Sequence, residues 1–242
     1  MKIIGIIPAR YASTRFPGKP LADINGKAMI QRVYEQSAKA TSLDKVIVAT
    51  DDERIAACVE GFDGFVEMTE STHQNGTERC AEVATRNAAD YYINIQGDEP
   101  FIQPGQIDTL AAILDGKTEL GTLVKKVEDD GMLDRPGVMK VVLNNRMEAM
   151  YFSRSCIPFV RDSRRKDWLQ AHTFYKHIGI YAYRADVLGE ITQLPKSSLE
   201  EAENLEQLRW LENGYTIKVA ETTFESMGVD TPEDLERVLS PS

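Results

Sequence analysis

The sequence predicts an α/β fold, a mostly parallel sheet flanked by helices, and three observations predict it. Short apolar, β-branched runs alternate with amphipathic stretches through the first half of the chain. Polar clusters rich in Gly, Pro and charge follow the apolar runs directly, which places them beyond the carboxyl ends of strands, where open sheets bind ligands. The chain has 242 residues, 42% of them hydrophobic, enough to bury a full core as one large domain carrying an inserted lobe.

The first strand is expected at 2–8, built on Ile3-Ile4-Gly5-Ile6-Ile7, with further strands at 45–50, 65–68 and 91–96. Helices are expected between them at 28–39, 51–59, 78–87 and 104–114. Asp51 reads as an N-cap rather than a ligand. From 119 to 183 the rhythm changes to strand-like pieces at 120–127, 138–143 and 177–183 around the charged stretch 161–167. This segment is expected to be an inserted, sheet-rich lobe for substrate and dimerisation, pairing with a second copy to cover Tyr151, Phe152, Phe159 and Trp168. Helices return at 199–213, ended by Gly214, and at 231–239, where Thr231-Pro232-Glu233-Asp234 has the chemistry of a helix start.

Charge and cysteine usage exclude several classes. A net charge of -10 argues against nucleic acid or an anionic membrane as main partner. Cys58, Cys80 and Cys156 are widely spaced with no CxxC pair, which suits a reducing compartment and argues against zinc. The apolar run Ile3 to Ile7 is too short for a signal peptide or a membrane span, so a soluble cytoplasmic protein is expected.

The loop after the first strand, Pro8-Ala9-Arg10-Tyr11-Ala12-Ser13-Thr14-Arg15-Phe16-Pro17-Gly18-Lys19-Pro20, carries three cations among small residues. Arg10, Arg15 and Lys19 present converging donors to a polyanion, and a nucleoside triphosphate is the natural candidate. Neither a Walker A sequence nor a GxGxxG fingerprint is present, which excludes the usual nucleotide loops and a nicotinamide dehydrogenase. Gln96-Gly97-Asp98-Glu99-Pro100 puts a carboxylate where a central strand exits, and Asp98 is the first candidate ligand for Mg²⁺, which takes one or two protein carboxylates and fills its shell with phosphate and water. Asp230, just before the last helix, is a second carboxylate, although alone it reads as an aspartate stabilised by the helix dipole. His73-Gln74-Asn75-Gly76-Thr77-Glu78-Arg79 offers small, hydrogen-bonding groups that let backbone approach a flat base. In Leu205-Glu206-Gln207-Leu208-Arg209-Trp210-Leu211 the leucines form a core face, and Glu206 and Gln207 lie beside it.

Together these segments, with Tyr151-Phe152-Ser153-Arg154, His177-Ile178-Gly179-Ile180-Tyr181 and Val229-Asp230-Thr231-Pro232-Glu233-Asp234-Leu235, closely resemble the 3-deoxy-manno-octulosonate cytidylyltransferase family, the CMP-Kdo synthetases, over essentially the whole chain. The resemblance implies a nucleotidyltransferase of glycosyltransferase-A-like fold, dimeric through the inserted lobe and dependent on Mg²⁺, which makes CMP-Kdo and pyrophosphate from CTP and Kdo for lipopolysaccharide synthesis. It implies that Arg10, Arg15 and Lys19 hold the triphosphate and that Pro8, Ala9, Asn75, Gly76, Thr77 and Arg79 surround the cytidine. Asp98 and Asp230 would bind the metal. Gln96, Arg154, Arg161, His177, Tyr181, Glu206 and Gln207 would hold the sugar acid. Asn75 stands where family members often carry Ser, a departure that bears on the contact to the base or ribose. Enzymes acting on the 8-amino analogue of Kdo share most of these motifs, but the His73-Gln74-Asn75 stretch looks more like the Kdo enzymes, so the resemblance implies Kdo with the analogue as the alternative.

Overall fold

The computed structural model describes residues 1–12, 16–225 and 228–239. Its strands are β1 (Ile3–Ala9), β2 (Asp23–Ile24), β3 (Lys27–Ala28), β4 (Lys45–Thr50), β5 (Val66–Met68), β6 (Tyr91–Asn94), β7 (Leu120–Lys126), β8 (Lys140–Leu143), β9 (Ala149–Ser153), β10 (Tyr175–Arg184) and β11 (Ile217–Glu221). The helices are α1 (Met29–Ser37), α2 (Glu53–Glu60), α3 (Gly76–Arg86), α4 (Pro104–Ala111), α5 (Trp168–Ala171), α6 (Ala185–Ile191), α7 (Ser198–Glu203), α8 (Gln207–Glu212) and α9 (Pro232–Leu239).

The central sheet runs β11-β7-β10-β6-β1-β4-β5, with the β8–β9 hairpin attached to β10. On that path β10 alone runs against the others. Helices cover both faces, which is why β1, β4 and β6 read as continuous apolar runs and not as alternating ones. Along β1, Ile3 and Ile7 pack with α1, α2 and α4 through Ile30, Val33, Ile55, Val59 and Ile107. Ile4 and Ile6, on the other face, pack with α3, α6 and α8 through Cys80, Val83, Leu188 and Leu208. The three cysteines are free thiols.

The segment 119–183 is continuous with the sheet. Its flanking strands β7 and β10 are central members, and β8 and β9 extend the sheet from β10. The aromatic side chains expected to need a second copy divide: Phe152 is wholly buried and Trp168 sits in a small core with Val127, Leu133 and Phe174, whereas Phe159 is 75% exposed. Long apolar runs foretell the central strands. The strands β9 and β11 and the helix α6 are short and carry weaker patterns.

The single helix expected over 199–213 is two. α7 ends at Asn204, whose φ of 52° is left-handed, a conformation that asparagine tolerates better than most residues. Arg154 donates from Nε to the carbonyl of Glu203 (2.7 Å) and from Nη2 to that of Asn204 (3.3 Å), supplying donors that the broken helix no longer provides. The buried pair of Arg209 with Glu200, at 2.7 and 2.5 Å, joins α8 back to α7. The break turns the chain so that Glu206 enters the space beyond the sheet.

Asn204→Gly is expected to be nearly neutral, while Asn204→Ala destabilises the fold by about 1–2 kcal/mol because Cβ is strained at positive φ without the asparagine's local hydrogen bonding. Urea denaturation of the two variants measures the difference.

Candidate active site

The parallel strands β1, β4 and β6 end on the same edge, and the segments that follow them build a cavity of about 360 Å³. Two glycines permit this. A Cβ on Gly97 would lie 2.7 Å from the carbonyl oxygen of Pro8, so only glycine lets the turn after β6 cross the end of β1. A Cβ on Gly76 would press within 3.2 Å of the Pro8 ring at the start of α3.

Charge converges at the mouth. Lys19 Nζ lies 2.7 Å from Asp98 Oδ2 and 3.2 Å from Asp230 Oδ1, joining residues far apart in sequence. The backbone N–H of Val229 donates to the carbonyl of Asp98 at 2.9 Å and fixes the two loops together. Asp234 accepts from the N–H of Asp230 (3.1 Å) and of Thr231 (3.0 Å), so the start of α9 sets where the Asp230 carboxylate goes. Lys19 opens a 3₁₀ turn that follows Gly18 at φ 72°. Gly18 N–H bonds the Tyr11 carbonyl at 2.9 Å, and Arg54 stacks 3.3 Å from the centre of the Tyr11 ring, pinning the base of the loop. Arg10 is exposed at the cavity wall. Arg15 lies outside the described residues. Among the described residues no three His, Cys, Asp or Glu side chains cluster as metal ligands. The two carboxylates converging on one cation nevertheless suit an ion that completes its shell from phosphate and water.

One wall comes from the N-terminus of α3, with Pro8 and Ala9 alongside. Asn75 is the N-cap, its Oδ1 accepting from the N–H of Glu78 at 2.8 Å, so the helix starts earlier than expected. Thr77 donates to Glu206 Oε2 at 3.0 Å. Arg79 lines the cavity but is buried, bonded to Thr69 Oγ1 and 3.5 Å from Asp51. Asp51 therefore serves Arg79, and Asp52 caps α2.

Gln96, Tyr181 and Glu206 also line the cavity. Gln96 Nε2 donates to the carbonyl of Gly179 at 2.8 Å, at the irregularity in β10 between Ile178 and Tyr181. Four residues expected here do not line the cavity. Arg154 is committed to the α7–α8 break, Gln207 is buried as the first residue of α8, and the Arg161 side chain is 89% exposed beside Asp162. His177 lies behind the wall, between Phe152 and Tyr181, and burial pulls its pKa down to about 3. Its tautomer follows from Thr122, whose hydroxyl hydrogen goes to the Ile180 carbonyl at 2.7 Å. The His177 Nε2–H therefore donates to Thr122 Oγ1 at 3.0 Å, leaving Nδ1 a lone pair without a partner.

The structure adds Asn94, Tyr183 and His73 to the walls. Asn94 had a signal, a polar residue within an apolar strand, and Tyr183 shares the face of Tyr181 two residues on. His73 is held by Glu82 at 2.6 Å, a contact from the loop before α3 to a helix residue nine positions on that no spacing rule announces. Burial raises the Glu206 carboxyl to about 7, against the hydrogen bond from Thr77 and the attraction of Arg209, which lower it.

The chain matches the family model described as Cytidylyltransferase over residues 4–219. A 3-deoxy-manno-octulosonate cytidylyltransferase of Parabacteroides distasonis is 59% identical, covering 99% of this chain and 98% of its own. The protein of that name from Geobacter metallireducens is 51% identical over 99% and 97%. A solved CMP:2-keto-3-deoxy-manno-octonic acid synthetase complexed with CTP matches with a TM-score of 0.93 at 44% identity, covering 99% of this chain and 97% of the other. A 4-diphosphocytidyl-2C-methyl-D-erythritol synthase from Anaerococcus prevotii, at 13% identity and a TM-score of 0.61 over 98% and 97%, shares the fold.

Glu206 binds a proton more tightly folded than unfolded, so its contribution is fully present below its unfolded pKa and is lost as pH rises through about 7. Glu206→Gln is therefore expected to be more stable than the parent at pH 8, by at most about 3 kcal/mol, with the gain shrinking toward pH 4.5. Urea midpoints at the two pH values check the sign; an equal effect at both would show that Glu206 titrates normally.

Proposed function

Because the chain belongs to the 3-deoxy-manno-octulosonate cytidylyltransferase family, we propose that this cavity is where it transfers the cytidylyl group of CTP to the C2 hydroxyl of Kdo and releases pyrophosphate. The observation that carries the assignment is the Lys19 ammonium held between Asp98 and Asp230 at the strand edge. Positive and negative groups set side by side there suit a reaction in which a triphosphate must be bound and its leaving group neutralised.

In this reading the C2 hydroxyl attacks the α-phosphorus in line, and no side chain forms a covalent bond. Arg10, Arg15 and Lys19 hold the β- and γ-phosphates and stabilise the departing pyrophosphate. Pro8, Ala9 and Gly76 bring small or backbone surfaces to the cytidine, with Asn75 and Thr77 holding the helix start in place. Arg79 supports that wall through Asp51 and Thr69. Gln96, Tyr181 and Glu206 face the sugar acid. Asp98 and Asp230 would hold Mg²⁺, which when bound polarises phosphate oxygens and lowers the pKa of the attacking hydroxyl. Lys19 keeps the two carboxylates together until then.

We extend the proposal to a homodimer working in the cytoplasm on the supply of Kdo for lipopolysaccharide. The exposed Met150 of β9 and Phe159 support pairing of this face with a second copy. Among the described residues no helix is long and apolar enough to cross a membrane.

Purified protein given CTP, Mg²⁺ and Kdo, or the 8-amino analogue, is expected to release pyrophosphate, with Kdo the better substrate. Asp98→Asn is expected to keep the fold and lower kcat about a hundredfold or more. Near-normal turnover of that variant at saturating Mg²⁺ would remove Asp98 from the metal site, and no release with either sugar would sink the transferase reading.

A further inference from the structure

We propose that Asn94 is a substrate-binding residue whose side-chain Oδ1 accepts a hydrogen bond from a hydroxyl of the sugar acid, an assignment that rests on the cytidylyl transfer proposed above. Asn94 ends β6 and is 5% exposed, in a strand otherwise filled with Tyr91, Tyr92 and Ile93. A buried amide in such a place needs partners for both its ends.

With the Glu206 carboxyl ionised, the hydrogen bonds behind it have one direction. Thr77 Oγ1 gives its hydrogen to Glu206 Oε2 at 3.0 Å, so the hydrogen between Thr77 and Tyr183, 3.3 Å apart, comes from the tyrosine. The Tyr183 oxygen is then the acceptor for Asn94 Nδ2 at 3.3 Å. Read from the strand, the chain runs Asn94 to Tyr183 to Thr77 to Glu206, and it fixes which way the amide points. Turning the amide would set Oδ1 against the Tyr183 oxygen and break the sequence.

The consequence is an acceptor without a donor. Asn94 Oδ1 is buried in the cavity wall with no hydrogen-bond partner. Tyr181 stands directly opposite Asn94 in the β6–β10 register, and its hydroxyl is also buried without a partner. The two residues are cross-strand partners, one carrying an acceptor and the other a group that both donates and accepts. A polyhydroxylated sugar matches that pair, because each of its hydroxyls donates and accepts in turn. Asn94 is assigned to the sugar because its cross-strand partner Tyr181 faces the sugar acid, as does Glu206 at the far end of the hydrogen-bond chain that runs through Tyr183 and Thr77.

The test compares the parent enzyme with Asn94→Ala on Kdo, on Kdo analogues each lacking one hydroxyl, and on CTP against 2′-deoxy-CTP, with thermal melting in parallel. The alanine variant is expected to raise KM for Kdo about tenfold and leave KM for CTP within about twofold. One deoxy analogue, used about tenfold less well than Kdo by the parent, is expected to be used by the variant as well as Kdo itself. Tyr183→Phe is expected to give a smaller rise in KM, since it removes the link to Thr77 while the ring remains. If the alanine variant does not fold, Asn94→Ser reads the same discrimination. Unchanged discrimination across the deoxy series, or a loss that falls on CTP and 2′-deoxy-CTP, would overturn the assignment. Failure of the transferase reading is separate, because the parent enzyme would then make no product from Kdo before any variant is compared.

Discussion

The contact on which the site depends is the Lys19 ammonium between Asp98 and Asp230. Two carboxylates facing one another repel, and a cation between them removes that cost while leaving both oriented toward the cavity. The three residues come from the first loop, the end of a central strand and the start of the last helix. Bringing them together requires that the sheet be complete, that the Gly97 turn cross β1, and that Val229 bond the Asp98 carbonyl. The first loop and the start of the last helix therefore meet at this point.

Around that contact the walls differ in chemistry. The mouth is ionic and open, with Arg10 exposed. Deeper in, the wall carrying Tyr181, and His177 behind it, present groups held neutral or reluctant to charge: His177 is driven to the neutral form, Glu206 is raised, and the Tyr181 and Tyr183 hydroxyls are pushed well above their ordinary range by burial. A phosphate chain suits the first region. The hydroxyl groups of a sugar acid suit the second, where polar atoms without fixed charge read hydroxyl positions. The division follows from depth: side chains near the strand ends reach water, and those between β10 and α8 do not.

Arg154, which the family resemblance places on the sugar, and Arg79, which it places at the cytidine, act one step away in this structure. Arg154 uses its donors on the carbonyls of Glu203 and Asn204, and in doing so holds the break that presents Glu206. Arg79 shares its charge with Asp51 and Thr69 under the nucleotide wall. Lys140, wholly buried, spends its ammonium on the carbonyls of Arg135, Val138 and Arg154 and anchors the hairpin beside Arg154. The long cations of this chain therefore act as struts as well as ligands, because a buried guanidinium or ammonium must take every acceptor within reach.

The sequence by itself determined the parallel α/β core, since the apolar runs of β1, β4 and β6 have no other way to be buried on both faces, and it placed Arg10, Lys19, Asp98 and Asp230 after strands or before a helix. It also marked Asn75, Gly76 and Thr77 as small, hydrogen-bonding residues between a strand and a helix. Tertiary structure alone decided that Asp98 and Asp230 share one cation, that 199–213 breaks at Asn204, that β7 and β10 join the central sheet, and that Asn94, Tyr183 and His73 reach the cavity while His177, Arg154, Arg161 and Gln207 do not line it. The reason is range: periodicity and capping act over a few residues, whereas the shared cation, the strand register and the direction of a buried hydrogen-bond chain join groups that only the completed sheet brings within 3 Å or so of each other.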